Sequence, residues 1–131
     1  MRTFETRTRA RFAETDASGI VYYNEYFVYF EIGRIEMFRE LGLPYDARVP
    51  IFETRCRYHA PARFDDQLLV RTFVEEIRTK AFRLGARVLR ETAGGEPALL
   101  AEGWTVMVTT DDERRPCPLP EAFRTALSAA A

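Results

Sequence analysis

The sequence contains few of the residues that bind metal ions or form disulfide bonds. Of its 131 residues, one is a histidine, His59, and two are cysteines, Cys56 and Cys117. The two cysteines lie far apart and form no CxxC pair, and one histidine with two cysteines is a poor donor set for zinc. We therefore expect no metal site and no disulfide framework, and a reducing compartment, the cytoplasm, is the expected location.

Long apolar runs and an excess of charge of one sign are also missing. No run of 18 apolar residues occurs, and residues 1–12 alternate charged and uncharged side chains without the apolar centre of a signal peptide. The 19 basic residues, of which Lys80 is the sole lysine, are balanced by 20 acidic ones. We therefore expect neither membrane insertion nor a nucleic-acid partner.

The apolar content is sufficient for one folded core. Hydrophobic residues make up 47% of the chain, and its length fits a single domain, which we expect to span residues 1–131. Residues 3–12 alternate with period two and predict a strand. Residues 24–41 predict a helix with Asn24 as N-cap and Gly42 as its end. The first half of this helix is apolar nearly all round, so we expect it to be buried on several sides.

Four more strands are predicted after the helix, at residues 51–60, 67–77, 80–90 and 98–110. Residues 78 and 79 form a candidate hairpin turn, and residues 121–130 predict a short helix or a frayed end. Because the long helix has no second helix to pack on, it can bury its apolar surface only if the sheet curves around it. The pattern therefore predicts an α+β fold.

Asp16 stands in the loop between the first strand and the long helix. Aspartate followed by Ser18 and Gly19 is ordinary turn chemistry, and a turn without function is one interpretation. The start of a helix, however, presents unpaired N–H groups and the positive end of the helix dipole. A carboxylate facing such groups across a short loop has the arrangement needed for attack on a carbonyl carbon.

The segment of residues 11–34, RFAETDASGIVYYNEYFVYFEIGR, resembles the 4-hydroxybenzoyl-CoA thioesterase family of hotdog-fold acyl-CoA thioesterases. The positions that match the family pattern are Thr15, Asp16, Gly19, Val21, Tyr22, Asn24, Tyr26, Glu31 and Arg34. Residues 57–72 are similar to a later strand of the family. The resemblance implies a hotdog fold, in which a curved antiparallel five-stranded sheet wraps a long helix. It also implies homodimers or homotetramers with the active site between subunits, and hydrolysis of acyl-CoA without a cofactor.

The resemblance assigns catalytic roles around the loop. Asp16 would be the catalytic carboxylate, acting either as nucleophile or as general base toward water. Tyr23 would offer its backbone N–H to the thioester oxygen, and Gly19 would shape the loop between the two. Glu31 is a secondary candidate for the active site, although an ion pair with Arg34 on the same helix is an alternative interpretation.

Further residues are candidates for binding the acyl-CoA. The positions implied by the resemblance or by their chemistry are Val21, Tyr22, Asn24, Tyr26, His59, Arg63, Arg78 and Lys80. The aromatic members either belong to the core or wall the acyl pocket. Arg78 and Lys80 either hold the phosphates of CoA or are solvated turn residues.

Two other functions remain open from the sequence. A hotdog hydratase or dehydratase acting on enoyl thioesters would need an acid–histidine pair, and His59 lies outside the Asp16 loop. A non-catalytic module that binds acyl-CoA or an acyl carrier protein would need no role for Asp16.

Overall fold

Five antiparallel strands, one long helix and a C-terminal helix make up the chain in a computed structural model that describes all 131 residues. The elements are β1 Thr3–Arg9, α1 Glu25–Leu41, β2 Ile51–Tyr58, β3 Gln67–Ile77, β4 Ala81–Arg90, β5 Ala98–Val108 and α2 Glu121–Ala130. A short 3-10 turn, Phe12–Glu14, follows β1. The strand order is β1-β3-β4-β5-β2, so β1 and β2 form the two edges of the sheet.

Helix α1 covers the inner face of this sheet. It begins after Asn24 and ends at Gly42, whose φ of 70° is the left-handed conformation that glycine adopts without strain. Its buried side chains include Tyr29, Phe30 and Phe38, and they pack against inward-facing residues of the strands. Helix α2 adds Phe123 and Leu127 to the same core. No helix of the chain is both long and apolar enough to cross a membrane.

The predicted architecture, a long helix against a five-stranded antiparallel sheet, is confirmed, with two corrections along the helix. Asn24 occupies the N-cap position, but its side chain makes no capping hydrogen bond, because its backbone is already helical. The ion pair between Glu31 and Arg34 is absent. Arg34 is 3% exposed and donates to the Tyr45 hydroxyl at 3.0 Å and, more weakly, to the Thr105 hydroxyl at 3.4 Å, whereas Glu31 is exposed.

Strand β2 lies within the predicted range of residues 51–60, and nearly all of its side chains are exposed. Its register places Thr54, Cys56 and Tyr58 opposite residues of β5 on the inner face. Only Cys56 is half-buried, and Phe52, at the start of the strand, is 73% exposed. The reason is topological: β2 is an edge strand that α1 covers only near Cys56 and Tyr58, so the start of the strand has little to pack against within the chain.

Candidate active site

The loop after β1 folds into a tight turn around Asp16. The Asp16 N–H donates to the carbonyl of Ile20 at 2.8 Å, and the Gly19 N–H donates to the Asp16 carbonyl at 3.0 Å. Gly19 has a φ of 84°, a conformation that a residue with a side chain adopts only with strain. The sequence Asp16-Ala17-Ser18-Gly19 therefore closes on itself and holds the Asp16 backbone in one place.

One oxygen of the Asp16 carboxylate is fixed by Ser18. The Ser18 hydroxyl donates to Asp16 Oδ1 at 2.6 Å and the Ser18 N–H donates to the same atom at 2.8 Å. These two hydrogen bonds lower the pKa of Asp16 below its ordinary value, so the carboxyl group is ionised at neutral pH. The other oxygen, Oδ2, accepts no hydrogen bond from the chain, which leaves it available to a substrate or a water molecule.

Hydrogen bonds to the buried carboxylate of Glu14 hold the loop after β1 in place. Glu14 is 4% exposed and accepts hydrogen bonds from the Tyr29 hydroxyl at 2.7 Å and from the backbone and guanidinium of Arg11 at 2.9 and 2.8 Å. Burial by itself would raise the pKa of Glu14, but these donors lower it below its ordinary value. The Glu14 carbonyl in turn accepts from the Tyr22 N–H at 2.9 Å, which ties the loop to the approach of α1.

At the start of α1, two backbone N–H groups have no hydrogen-bond acceptor within the chain. The N–H groups of Tyr23 and Asn24 donate no hydrogen bond to any atom of the chain. The adjoining carbonyls are engaged: that of Tyr22 accepts from the Glu25 N–H at 3.0 Å, and that of Tyr23 accepts from the Tyr58 hydroxyl at 2.7 Å. The peptide planes are thus held in place while their N–H groups stay available, as an oxyanion site requires.

These groups meet in one cavity of about 400 Å³ between the loop, the start of α1 and the end of β2. Its lining residues are Asp16, Ile20, Val21, Tyr22, Tyr23, Tyr26, Tyr58, His59, Ala60 and Pro61. Six of the predicted site residues are therefore brought together: Asp16, Val21, Tyr22, Tyr23, Tyr26 and His59. Asp16 is the sole carboxylate in this lining, and His59 is engaged with Glu102, 2.7 Å from its Nε2.

Tyrosine rings form the apolar wall of the cavity. Tyr26 is buried, its oxygen accepts from the Ala62 N–H at 3.0 Å, and its ring lies 5.2 Å from that of Tyr58 in an edge-to-face arrangement. Burial, followed by the nearby Cys56 thiol, raises the pKa of Tyr58 to about 12, so its hydroxyl stays protonated and can donate. This wall can accept a flat or aliphatic acyl group.

Sequence reasoning missed Ser18, Tyr58 and Glu14. The Asp-x-Ser spacing is a known turn signal that could have assigned Ser18 as a donor to Asp16. The alternation in β2 places Tyr58 on the helix side, but its contact with Tyr23 spans 35 residues. Nothing local marks Glu14 as buried.

Six predicted site residues do not line this cavity: Gly19, Asn24, Glu31, Arg63, Arg78 and Lys80. The side chains of Glu31 and Arg63 are exposed. Arg78 donates to Glu76 at 3.0 and 2.9 Å, and together with Lys80 it lines a different cavity, of about 430 Å³, beside Ile51. Strand β2 separates Ile51 from Tyr58 by seven residues, or about 23 Å at the usual rise of a strand. The roles of all the predicted site residues stay predictions.

Comparison with known proteins agrees with this arrangement. A family model described as the thioesterase-like superfamily matches residues 10–127. The acyl-CoA thioester hydrolase YbgC of Escherichia coli is 28% identical over 127 residues, which cover 92% of each chain. A hypothetical protein of Thermus thermophilus is 36% identical, with a TM-score of 0.86 and coverage of 98% of this chain and 99% of the other.

A second similar structure is that of a named enzyme. The 4-hydroxybenzoyl-CoA thioesterase of Pseudomonas sp. strain CBS-3 has a TM-score of 0.84 at 26% identity, covering 96% of this chain and 99% of that one. A variant of 4-hydroxybenzoyl-CoA thioesterase has also been solved in complex with 4-hydroxybenzoyl-CoA. The hotdog fold inferred from the sequence is confirmed, and the chain belongs to the thioesterase-like superfamily.

Proposed function

We propose that the protein hydrolyses acyl-CoA thioesters to a free acid and CoA. The observation that carries this proposal is the pairing, in one cavity, of the ionised Asp16 carboxylate with the unpaired N–H of Tyr23. Membership of the thioesterase-like superfamily, and the acyl-CoA thioesterase names of YbgC and of the Pseudomonas relative, support the same reaction.

In the proposed mechanism the thioester carbonyl lies between Asp16 and the start of α1. Asp16 Oδ2 either attacks the carbonyl carbon directly or removes a proton from the attacking water. The carbonyl oxygen gains negative charge and accepts a hydrogen bond from the Tyr23 N–H, a contact that typically raises the rate by about 10²–10³-fold. Collapse of the intermediate expels the thiolate of CoA, and water completes the release of the acid if the carboxylate attacked.

The proposal includes a second copy of the chain. Strand β2 is an exposed edge of eight residues whose apolar face is uncovered at the start of the strand, and such edges pair readily with another strand. If two β2 strands pair antiparallel about a two-fold axis, the Ile51 end of one protomer lies beside the Tyr58 end of the other. Arg78 and Lys80 of one protomer would then approach the Asp16 cavity of its partner, where they can hold the CoA phosphates.

The remaining expectations belong to the same proposal. We take residues 1–131 to form one domain, because α2 contributes to the core formed by α1 and the sheet. We propose the cytoplasm as its location, because Cys56 and Cys117 are free thiols, which suits a reducing compartment. The assembly is a homodimer through β2, or a homotetramer built from two such dimers.

The test is thiol release from a panel of short, long and aromatic acyl-CoA substrates. We expect Asp16→Asn to lose turnover while its circular dichroism and melting temperature match the wild type, because the substitution keeps the size of the side chain. Asp112→Asn, at a surface carboxylate outside the Asp16 cavity, is the matched control and should stay fully active.

Thiol release by Asp16→Asn at the wild-type rate would contradict the proposed mechanism. Binding of acyl-CoA without release by the wild-type protein would instead indicate a binding module. Hydration of an enoyl-CoA would indicate a hydratase.

A further inference from the structure

Tyr58 is the last residue of β2, and its side chain reaches from the edge of the sheet to the start of α1. Its hydroxyl donates a hydrogen bond to the carbonyl oxygen of Tyr23 at 2.7 Å. Both residues line the cavity that contains Asp16. The hydroxyl therefore contacts the backbone within the proposed active site, and the reaction proposed above gives it no role.

This hydrogen bond determines the surroundings of one particular backbone N–H. The accepting carbonyl belongs to the peptide group between Tyr23 and Asn24, so the N–H of that peptide group is the N–H of Asn24. It donates no hydrogen bond to any atom of the chain. The preceding peptide group is arranged in the same way, because the Tyr22 carbonyl accepts from the Glu25 N–H at 3.0 Å and the Tyr23 N–H has no acceptor. Two consecutive peptide groups thus have a bonded carbonyl and a free N–H.

A hydrogen bond to a carbonyl oxygen has two effects on its peptide group. It fixes the orientation of the peptide plane, and it polarises the group so that the N–H becomes a stronger donor. The backbone of Asn24 is already helical, with φ −75° and ψ −16°, so its N–H points along the axis of α1 and away from the helix. The positive end of the helix dipole lies at the same place. An oxygen with negative charge that binds there can accept from both free N–H groups.

The side chain of Tyr58 is suited to holding a peptide group in place. Its ring packs edge-to-face against the ring of Tyr26, which is buried, at a centroid distance of 5.2 Å. Its backbone lies opposite Ala101 in the register of β2 with β5. The raised pKa of its hydroxyl, about 12, keeps the proton on the oxygen at neutral and mildly alkaline pH. The donor is therefore fixed in position and stays protonated where the enzyme works.

We propose that Tyr58 is a positioning residue, which holds the peptide group between Tyr23 and Asn24 so that the Asn24 N–H is a second donor to the substrate's carbonyl oxygen. The Tyr23 N–H is the first donor, and Asp16 faces the carbonyl carbon. The inference rests on the proposed hydrolysis and extends it, because the two N–H groups share the negative charge that develops on the oxygen in the transition state.

The first test compares two conservative substitutions in β2 by thiol release. Tyr58→Phe removes the hydroxyl and keeps the ring against Tyr26. We expect kcat to fall by about tenfold or more, since complete loss of one such donor typically costs about 10²–10³-fold. KM should stay near the wild-type value, because the oxygen gains its charge only in the transition state. Thr54→Val removes a hydroxyl from the same face of β2, outside the cavity, and should keep the wild-type kcat.

Infrared spectroscopy of a bound carbonyl separates this role from an effect on packing. The probe is an acyl-CoA analogue in which a methylene group replaces the thioester sulfur, so that it keeps the carbonyl and cannot be hydrolysed. An isotope label on the carbonyl carbon separates its band from those of the protein. Donors to the oxygen lower the stretching frequency, so we expect a higher frequency on Tyr58→Phe than on the wild type and on Thr54→Val. Melting temperatures of the three proteins are measured alongside.

Three results in an active wild-type protein would overturn this inference and leave the hydrolase proposal intact. The first is a wild-type kcat in Tyr58→Phe. The second is a raised KM without a change in kcat, which would mean that Tyr58 only contacts the acyl group. The third is a lowered melting temperature with an unchanged carbonyl frequency, which would mean that Tyr58 only supports packing. A wild-type protein that releases no thiol from any substrate would instead overturn the hydrolase proposal, and this inference with it.

Discussion

The pKa of Asp16 is lowered mainly by a neighbour two residues along the chain. The Ser18 hydroxyl and N–H both donate to Asp16 Oδ1, and the hydroxyl is the largest cause of the lowered pKa. In the proposed mechanism the carboxylate must be ionised to act as nucleophile or base. The rate should therefore fall as the pH drops through the pKa of Asp16, and Ser18 should set where this fall occurs.

We predict that Ser18→Ala moves the acidic limb of the kcat/KM profile to higher pH. Loss of the hydroxyl removes one donor to the ionised form, so protonation becomes easier and activity is lost at a less acidic pH. Thiol release measured across the acidic range checks the direction. Ser18→Thr, which keeps a hydroxyl, should restore the wild-type limb, and Ser128→Ala on α2 should leave it unmoved. A limb that stays in place in Ser18→Ala would show that another group controls ionisation.

At the residue scale, the sequence allowed some residues of the candidate site to be predicted and gave no indication of others. Asp16 could be located from its place in a loop before a helix, and Tyr23 from the resemblance of residues 11–34 to a known family, and the structure brings both to one cavity. Glu14 and Tyr58 could not, because their partners Tyr29 and Tyr23 lie 15 and 35 residues away in the chain. Such contacts depend on how α1 meets the turn after β1 and the end of β2, and spacing along the chain does not report that.

At the scale of elements, α1 approaches β3 closely at Gly33. A Cβ atom at this position would lie 2.5 Å from Thr72 Oγ1 and 2.7 Å from Val70 Cγ1. Thr72 and Val70 are both buried in the middle of β3, and the Thr72 hydroxyl has no hydrogen-bond partner. Glycine is needed here for lack of space and not for its backbone freedom, because the helix runs through it without interruption.

We predict that Gly33→Val lowers the free energy of unfolding by about 2 kcal/mol, because the added side chain forces helix and sheet apart in a packed core. Urea denaturation followed by circular dichroism measures the change. Glu31→Val introduces the same side chain at an exposed position of the same helix, and its effect on stability should stay within about 0.5 kcal/mol. Equal loss in the two variants would mean that helix propensity, and not packing, accounts for the effect.

The helix and strands were predicted well where apolar residues recur at a regular spacing. The predicted β3, at residues 67–77, matches the observed strand, and the helix begins one residue later than predicted. The burial of β2 was not predicted, because alternation shows which residues share a face but not whether anything covers it. Whether a strand is an edge is decided by strand order, which is a property of the whole sheet.

At the scale of the molecule, residues that the resemblance assigns to one active site lie far apart within a single chain. Asp16 lies at the Tyr58 end of β2, whereas Arg78 and Lys80 lie near Ile51 at the other end. A distance of about 23 Å along the strand is too long for an arginine or lysine side chain to cross. In the proposed dimer, the cations that serve one acyl-CoA come from a second protomer, as antiparallel pairing of two β2 strands would provide.

We predict that two impaired variants restore activity when their protomers are mixed in one dimer. Asp16→Asn lacks the carboxylate, and the double variant Arg78→Ala/Lys80→Ala lacks the proposed phosphate contacts and should lose tenfold or more in kcat/KM. In a mixed dimer one of the two sites combines the intact Asp16 of one protomer with the intact cations of the other. Random pairing of equal amounts should therefore recover about a quarter of the wild-type activity.

The measurement is thiol release at a substrate concentration well below KM, after co-expression or after joint unfolding and refolding of the two variants. Mixing without exchange of protomers is the control and should give only the mean of the two parents. If the exchanged sample also gives that mean, each site is complete within one chain, and any contribution of Arg78 and Lys80 is made to the site of their own chain. Recovery above the mean requires a shared site, because neither parent holds both groups in the same chain.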